Sequence, residues 1–324
     1  MTTDTSTLVV RRVGPDAAGT VAALVREAFA DREPLDPPTA ALAETPESMA
    51  VLLGGAGGLV AELDGRPVGT LVLDERLEPG ALHLRRFGLT PAARGQGVAG
   101  ALVREALRAA GDLDVTRIVV EAREELPATI AFWQSQGFVK TAHRSPYVEL
   151  ARPVPAVVDV PDPDAMRALA GRVASVVRAG DVLVLSGDLG AGKTTFTQGL
   201  GAALGVRGDV TSPTFVIARV HPPLGTGPAL VHVDAYRLDG TAELDDLDLD
   251  TDLDQAVTVV EWGAGLAEGL SDSPIEIRIH RAAADDADAD DHDPRRVEID
   301  PLGLRWLGVD LPDWALDGPF DPSA

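Results

Sequence analysis

The feature that most constrains the fold is a glycine-rich segment between a short apolar run and a helical pattern. Residues 187–194 read GDLGAGKT, which fits the spacing G-x-x-x-x-G-K-[ST], and they follow an apolar run at 182–185. Glycine reaches backbone conformations that other residues avoid, so such a loop can wrap its amide groups around a phosphate. This pattern is typical of a strand, a phosphate-binding loop and a helix in an α/β domain.

Composition excludes several classes of protein. The chain has 324 residues, 45% of them hydrophobic and 24% charged, which is a globular composition with room for two domains. Cysteine is absent, which excludes a disulfide scaffold and a thiol nucleophile, and the six histidines show no zinc-ligand spacing. The net charge of −23 argues against general nucleic-acid binding. No apolar run is long enough for a signal peptide or a membrane span, so we expect a soluble cytoplasmic protein.

The two halves of the chain differ in charge, which indicates two domains. Residues 1–152 carry 16 basic and 20 acidic side chains, whereas the remainder carries 12 and 31. The change coincides with a proline-rich stretch, and proline favours extended linkers. We expect a mixed α+β domain at 1–152, a linker at 153–164 and an α/β domain at 157–312. The second domain would include an acidic loop at 281–294 and be followed by a tail at 313–324.

Two acidic residues follow apolar runs in the second half, as metal-binding carboxylates do beside a phosphate loop. Lys193 would bridge the β- and γ-phosphates, and Thr194 would hold Mg²⁺. Asp234 ends one apolar run and fits a second magnesium ligand, while Glu261 ends another and fits a residue that holds metal-bound water or orients the attacking water. The structural alternatives are a turn residue for Asp234 and an exposed edge residue for Glu261. Residues 211–215, TSPTF, fit either a γ-phosphate-sensing switch or an ordinary turn.

The second half resembles the TsaE (YjeE) family in four segments, which occur in the order GDLGAGKTTF, SPTF, HVDAYRL and VVEWG. The resemblance implies a P-loop domain that hydrolyses ATP slowly with Mg²⁺ in tRNA threonylcarbamoyladenosine synthesis. It also implies TsaB- and TsaD-type protein partners, with tRNA contacted only indirectly. Lys193, Asp234 and Glu261 would be catalytic, Thr194, Asp234 and Glu261 would bind the metal, and Thr214 would belong to the switch. The expected ATP contacts are Gly187, Asp188, Gly190, Ala191, Gly192, Lys193, Thr194 and Thr195.

The second half departs from the family pattern at a few positions. His221 stands where a tyrosine is usual, and Met166 and Ala170 replace a threonine and a glycine. These changes affect adenine contacts or local packing rather than phosphate chemistry. Trp262 matches a family tryptophan whose role stays open between packing and nucleotide contact.

The first half alternates helical and strand patterns, with a hairpin signal at Asp64–Gly65 and a second glycine-rich turn before a helix. Its order of elements, this turn and the segment AFWQSQGF resemble the GNAT N-acetyltransferase superfamily. The resemblance implies acetyl-CoA, with pyrophosphate on the loop amides and the pantetheine arm along a strand. The expected contacts are Phe87, Leu89, Arg94, Gly95, Gln96, Gly97, Val98 and Ala99.

Two departures bear on catalysis in the first half. Trp133 replaces a tyrosine that protonates the departing thiolate in many such enzymes, and an indole N–H is not a useful acid. An asparagine common upstream is also missing, with Leu126 or a near neighbour in its place. Glu62, His83 and Glu121 are equal candidates for a general base.

Three further readings remain open. The second half fits a P-loop small-molecule kinase, although no acceptor-binding segment is evident. The first half fits a non-catalytic acyl-CoA-binding module that regulates the ATPase. It also fits an independent acetyltransferase that merely shares the chain.

Overall fold

The computed structural model describes residues 7–30, 36–238, 254–265, 269–281, 294–309 and 311. The chain divides into two compact units, Met1–Val154 and Pro155–Ala324. The expected tail at 313–324 lies outside the described residues, as does the expected acidic loop at 281–294 apart from its two end residues. Among the helices that the structure describes, none is long and apolar enough to cross a bilayer.

The first unit is built on one seven-stranded sheet. Its strands are β1 (Leu8–Val13), β2 (Gly58–Leu63), β3 (Arg66–Asp74), β4 (Ala81–Leu89), β5 (Arg117–Arg123), β6 (Val139–Arg144) and β7 (Tyr147–Pro153). Its helices are α1 (Ala18–Ala30), α2 (Pro46–Leu52), α3 (Val98–Ala110) and α4 (Pro127–Ser135). The strand order is β1-β2-β3-β4-β5-β7-β6, and β4–β5 is its one parallel pair among the described strands.

Alternating side chains place helices on both faces of this sheet. Leu59 and Leu71 pack with α3 and α4, whereas Val60 and Val72 pack with α1 and α2. The predicted hairpin is confirmed, because β2 and β3 pair across a two-residue turn at Asp64–Gly65. Both turn residues have positive φ, 50° and 75°, as a type I′ turn requires.

The second unit has a second seven-stranded sheet. Its strands are β8 (Ala156–Val160), β9 (Val182–Ser186), β10 (Ala218–His221), β11 (Ala229–Asp234), β12 (Ala256–Glu261), β13 (Ile275–Arg281) and β14 (Arg295–Pro301). The order is β10-β11-β12-β9-β13-β14-β8, with β11, β12, β9 and β13 parallel. The carboxyl ends of these four strands therefore lie at one edge, where α/β sheets bind ligands.

The structure has regular elements over most of residues 153–164, where the sequence predicted a linker. Pro153 ends β7, β8 pairs with β14 at the sheet edge, and a helix begins at Pro163. Asp162 caps that helix, since its side chain accepts a hydrogen bond from the Ala165 amide at 2.8 Å. Proline is tolerated at strand ends and in the first turn of a helix, so its abundance did not distinguish a linker from these boundaries.

Two helices, α5 (Pro163–Ala174) and α6 (Lys193–Leu204), cover one face of the second sheet. They pack on Leu183, Leu185 and Val259. Gly199 allows the two helices to approach closely, because a Cβ there would lie 2.6 Å from the Arg167 backbone. This contact holds α6, and with it the preceding loop, against the sheet.

Candidate functional site

The predicted strand, glycine-rich loop and helix are present as β9, residues 187–192 and α6. Three loop glycines have positive φ: 144° at Gly187, 77° at Gly190 and 111° at Gly192. Gly187 has no room for a side chain, because a Cβ there would lie 2.3 Å from the carbonyl oxygen of Ile279. Glycine is therefore required here both for conformation and for the approach of β13.

The loop leaves several amide donors available to an anion. The amides of Gly192, Lys193 and Thr194 donate to no acceptor within the described part of the chain. They lie at the N-terminus of α6, where the helix dipole also favours negative charge. The arrangement suits a phosphate group.

Lys193 lies folded back on its own loop. Its Nζ donates to the carbonyl oxygens of Gly187 at 2.8 Å and Asp188 at 3.0 Å. The ammonium also lies 3.7 Å from the ring centre of Trp262, a cation–π contact. Burial lowers the pKa of Lys193 below its ordinary value, while nearby carboxylates, Glu261 first among them, oppose that shift.

The Glu261 carboxylate is enclosed by polar side chains from α6 and β11. Its Oε2 accepts a hydrogen bond from the Thr194 hydroxyl at 3.1 Å, and its Oε1 lies 2.8 Å from Nε2 of His232. Thr197 lies 3.4 Å from Oε1. Glu261 is only 2% exposed, so the expectation of an exposed edge residue does not apply.

Asp234 lies beside Glu261, because the two residues are register partners at the ends of β11 and β12. Its Oδ2 accepts hydrogen bonds from the hydroxyls of Ser212, at 3.1 Å, and Thr214. Its Oδ1 accepts one from the Tyr236 amide at 3.1 Å. The structure thus ties segment 211–215 directly to a predicted metal-binding carboxylate.

Trp262, which the sequence left between packing and nucleotide contact, lies inside the site. Its φ of 62° is unusual for a bulky residue, and its amide donates to the Leu185 carbonyl at 2.9 Å. Its ring faces the Lys193 ammonium and lies 5.2 Å from the Tyr236 ring. The indole therefore packs against the phosphate-loop lysine.

The sequence analysis missed two residues that contact Glu261, His232 and Thr197. The signal that could have found His232 is its position two residues before Asp234, which places both side chains on one face of β11. The run around it is apolar, so a histidine there could be read as part of a buried strand.

In the first unit, the second glycine-rich turn also precedes a helix. Gly95 and Gly97 have φ of 72° and 73°, and Gly97 is the N-cap of α3. Within the described residues the amides of Gly97, Val98 and Ala99 make no hydrogen bond. The amides of residues 94 and 96 instead close the turn on Pro91 and Ala93, so two of the six expected donors are already occupied.

Phe87 and Leu89 lie in the last three residues of β4, and the Phe87 ring belongs to an aromatic cluster. Trp133 lies 5.1 Å from Phe87, 5.3 Å from Phe132 and 5.1 Å from Phe138, measured between ring centres. It is 3% exposed. The Trp133 indole is therefore part of the hydrophobic core, at the position where the resemblance to the GNAT superfamily implied a tyrosine acting as an acid.

The three candidate bases lie on three strands. Glu62 on β2 forms an ion pair with Arg11, His83 on β4 lies 3.7 Å from Glu78, and Glu121 on β5 is exposed. Of the three, only His83 has a buried polar atom, Nε2, that makes no hydrogen bond among the described residues.

An ion pair that the sequence did not indicate lies near the end of β4. Arg86 has a positive φ of 53° and contacts the buried carboxylate of Glu44 at 2.5 Å. The β3–β4 register shifts close to this position, which is where a β-bulge redirects side chains.

The first unit also contains a cavity of about 630 Å³ beside α4 and β6. It shares no residue with the expected acetyl-CoA contacts. Its lining is Glu124, Pro127, Ile130, Gln134, Lys140, Thr141, Ala142, His143 and Val148.

Comparison with known proteins assigns both units. Residues 160–289 match the family model of Threonylcarbamoyl adenosine biosynthesis protein TsaE. The tRNA threonylcarbamoyladenosine biosynthesis protein TsaE of Streptomyces coelicolor is 58% identical over 147 residues, which cover 45% of this chain and 97% of that protein. The chain belongs to the TsaE family. Residues 22–138 match the Acetyltransferase (GNAT) family model, so the chain joins a GNAT domain to a TsaE domain.

Solved structures resemble each part. YdiB of Bacillus subtilis is 32% identical, with 47% of this chain and 88% of that chain covered and a TM-score of 0.37. The PaiA N-acetyltransferase of Thermoplasma acidophilum, solved in complex with coenzyme A, is 14% identical, with 45% and 99% covered and a TM-score of 0.40.

Proposed function

We propose that the TsaE unit binds and hydrolyses ATP with Mg²⁺ in the synthesis of tRNA threonylcarbamoyladenosine. The observation that carries this proposal is the convergence of Lys193, Thr194, Asp234 and Glu261 beside a phosphate-binding loop. The roles assigned to these four residues from sequence stay predictions.

The residues at this site suit a magnesium ion. The Thr194 hydroxyl and the carboxylates of Asp234 and Glu261 offer only oxygen, the donor that Mg²⁺ prefers. These three side chains would hold the ion. When bound, Mg²⁺ neutralises charge on the phosphate oxygens.

The remaining chemistry falls to the chain itself. The free amides at the start of α6 would cradle the phosphates, and Lys193 would leave the carbonyls of Gly187 and Asp188 for phosphate oxygens. Glu261 would orient the attacking water, since hydrogen bonds hold its carboxylate at the carboxyl end of β12. Segment 211–215 would respond to the γ-phosphate through the hydrogen bonds of Ser212 and Thr214 to Asp234.

We further propose that the unit works in the cytoplasm with TsaB- and TsaD-type proteins and contacts tRNA only through them. The charge supports protein partners, because the residues after 152 carry 12 basic against 31 acidic side chains. Such a net charge disfavours contact with the phosphates of tRNA and favours basic protein surfaces.

The decisive experiment measures ATP hydrolysis by the full chain with Mg²⁺, with and without TsaB and TsaD. We expect Lys193→Ala to abolish hydrolysis and the partners to raise it. Lys140, the other lysine of the chain, provides the control, and Lys140→Ala should leave hydrolysis unchanged. Undiminished hydrolysis by Lys193→Ala would refute the proposal, and phosphoryl transfer to a small acceptor would indicate a kinase instead.

For the GNAT unit, we propose CoA-dependent N-acetyl transfer to an amine. Support comes from the free amides of Gly97, Val98 and Ala99 at the start of α3. The burial of Trp133 favours a second candidate, an acyl-CoA-binding module without transfer, because no phenol stands at that position. Acetyl-CoA turnover with a panel of amines and peptides tests this: turnover supports the transferase, and binding without turnover supports the module.

A further inference from the structure

The two oxygens of the Glu261 carboxylate have different surroundings. Oε2 meets the Thr194 hydroxyl, the proposed magnesium ligand, at 3.1 Å. Oε1 points the other way, toward His232 and Thr197. The group that donates a hydrogen bond to Oε1 therefore determines which carboxylate oxygen would face the metal and the phosphates.

His232 is the principal donor to Oε1. The Thr197 hydroxyl has a single proton, and its shorter contact, 3.0 Å, is to the Lys193 carbonyl rather than to Oε1. The His232 contact is 2.8 Å, and its partner is a carboxylate, so the proton is assigned to Nε2 from that geometry. His232 is 0% exposed, so water does not compete for the bond.

We propose that His232 is a positioning residue for Glu261 and that its Nε2–H fixes the carboxylate with Oε2 toward Thr194. This inference rests on the proposed ATPase function. His232 reaches the site because β11 places it two residues before Asp234 on the face covered by α6. Without the bond, Oε1 loses its main donor in a buried setting, and the carboxylate turns to find another.

The test compares substitutions that keep or remove the donor. His232→Gln carries an amide N–H to about the place of the imidazole Nε2, whereas His232→Asn is also polar but too short to reach. His232→Leu removes the donor altogether. Thr258→Val is the matched control, because Thr258 is also fully buried, on the neighbouring strand β12, and its hydroxyl makes no hydrogen bond among the described residues.

The first readout is the magnesium dependence of binding of a fluorescent ATP analogue to the full chain. We expect half-saturation with Mg²⁺ to rise about tenfold in His232→Leu and His232→Asn, while analogue binding without metal stays within about twofold. The second readout is steady-state hydrolysis. We expect kcat to fall about 10–100-fold with KM for ATP nearly unchanged, and His232→Gln to recover much of the loss.

Several results would overturn the inference. One is a wild-type magnesium dependence and kcat in a folded His232→Leu. Another is an equal loss in Thr258→Val, which would mean that any change of a buried polar side chain in this sheet acts only through stability. If His232→Leu does not fold, equal behaviour of the Gln and Asn variants would overturn it. Absent hydrolysis by the wild type would instead show that the proposed function itself is wrong.

Discussion

At the scale of single residues, four buried polar side chains of the second unit converge at and near the carboxyl ends of β11 and β12. Lys193, His232, Asp234 and Glu261 are all at most 5% exposed, yet each has a polar or aromatic partner. Burying a charged group raises the free energy of the folded state unless the group is paired. A cluster of this kind is therefore unfavourable if its role is only structural. Buried ionisable groups that converge in such a place are typical of a functional site.

Replacing Gly187 by alanine should destabilise the second unit. The residue has a φ of 144°, and a Cβ would lie 2.3 Å from the Ile279 carbonyl oxygen. We expect a loss of about 2–4 kcal/mol in the free energy of unfolding, measured by urea denaturation. Gly225→Ala is the control, because nothing lies within 4 Å of its Cβ position. An equal effect of both changes would contradict the expectation.

The first unit should lose stability in acid through Asp74. Burial raises the pKa of this carboxyl, but hydrogen bonds from Arg85 and Arg76 outweigh burial, so its pKa is lowered from 3.8. A lowered folded pKa means that the stabilisation is present above the unfolded value and is lost as pH falls through the folded value. Calorimetry from about pH 5 down to about pH 2 should show a falling melting temperature, with a weaker fall in Asp74→Asn. A parallel pH dependence in both proteins would refute this.

At the scale of elements, the sequence predicted the units whose signals are local, and the prediction failed where proline dominated. The β2–β3 hairpin and the β9–loop–α6 unit are present because their signals are local: turn residues and glycine spacing. Strand β8 was missed because its pairing with β14 joins residues far apart in the sequence. An edge strand needs only one partner, and no local pattern shows which strand supplies it.

A hydroxyl group introduced by substitution should destabilise the second unit on one face of β8 but not on the other. Val158 is 5% exposed and packs in the core of the second unit, whereas Val157 is 55% exposed. We expect Val158→Thr to cost about 1–3 kcal/mol, because the hydroxyl is buried without a partner, and Val157→Thr to stay within about 0.5 kcal/mol. Chemical denaturation of both variants provides the comparison. Similar effects of the two changes would mean that β8 does not pack as described.

At the scale of the whole molecule, each unit has a sheet and core of its own. The first core draws on β1–β5 and β7 with α1–α4, and the second on β8–β14 with α5 and α6. The described strands of one sheet pair only with strands of the same sheet. This organisation meets the usual requirement for independent folding.

We therefore expect Met1–Val154 and Pro155–Ala324, produced separately, each to fold and to melt cooperatively. The isolated second unit should keep ATP hydrolysis that depends on Lys193. Circular dichroism melts and the hydrolysis assay measure both properties. A fragment that remains unfolded alone would show that the units depend on each other for stability.

By itself, the sequence determined the presence of a phosphate-binding loop, two domains and both families, because these depend on short motifs with strict spacing. Tertiary structure decided the rest. It brought Thr194 to Glu261 across 67 positions, added His232 to the site, and buried Trp133 in an aromatic cluster. Contacts between distant residues depend on strand register and helix packing, and neither property is written in a local pattern.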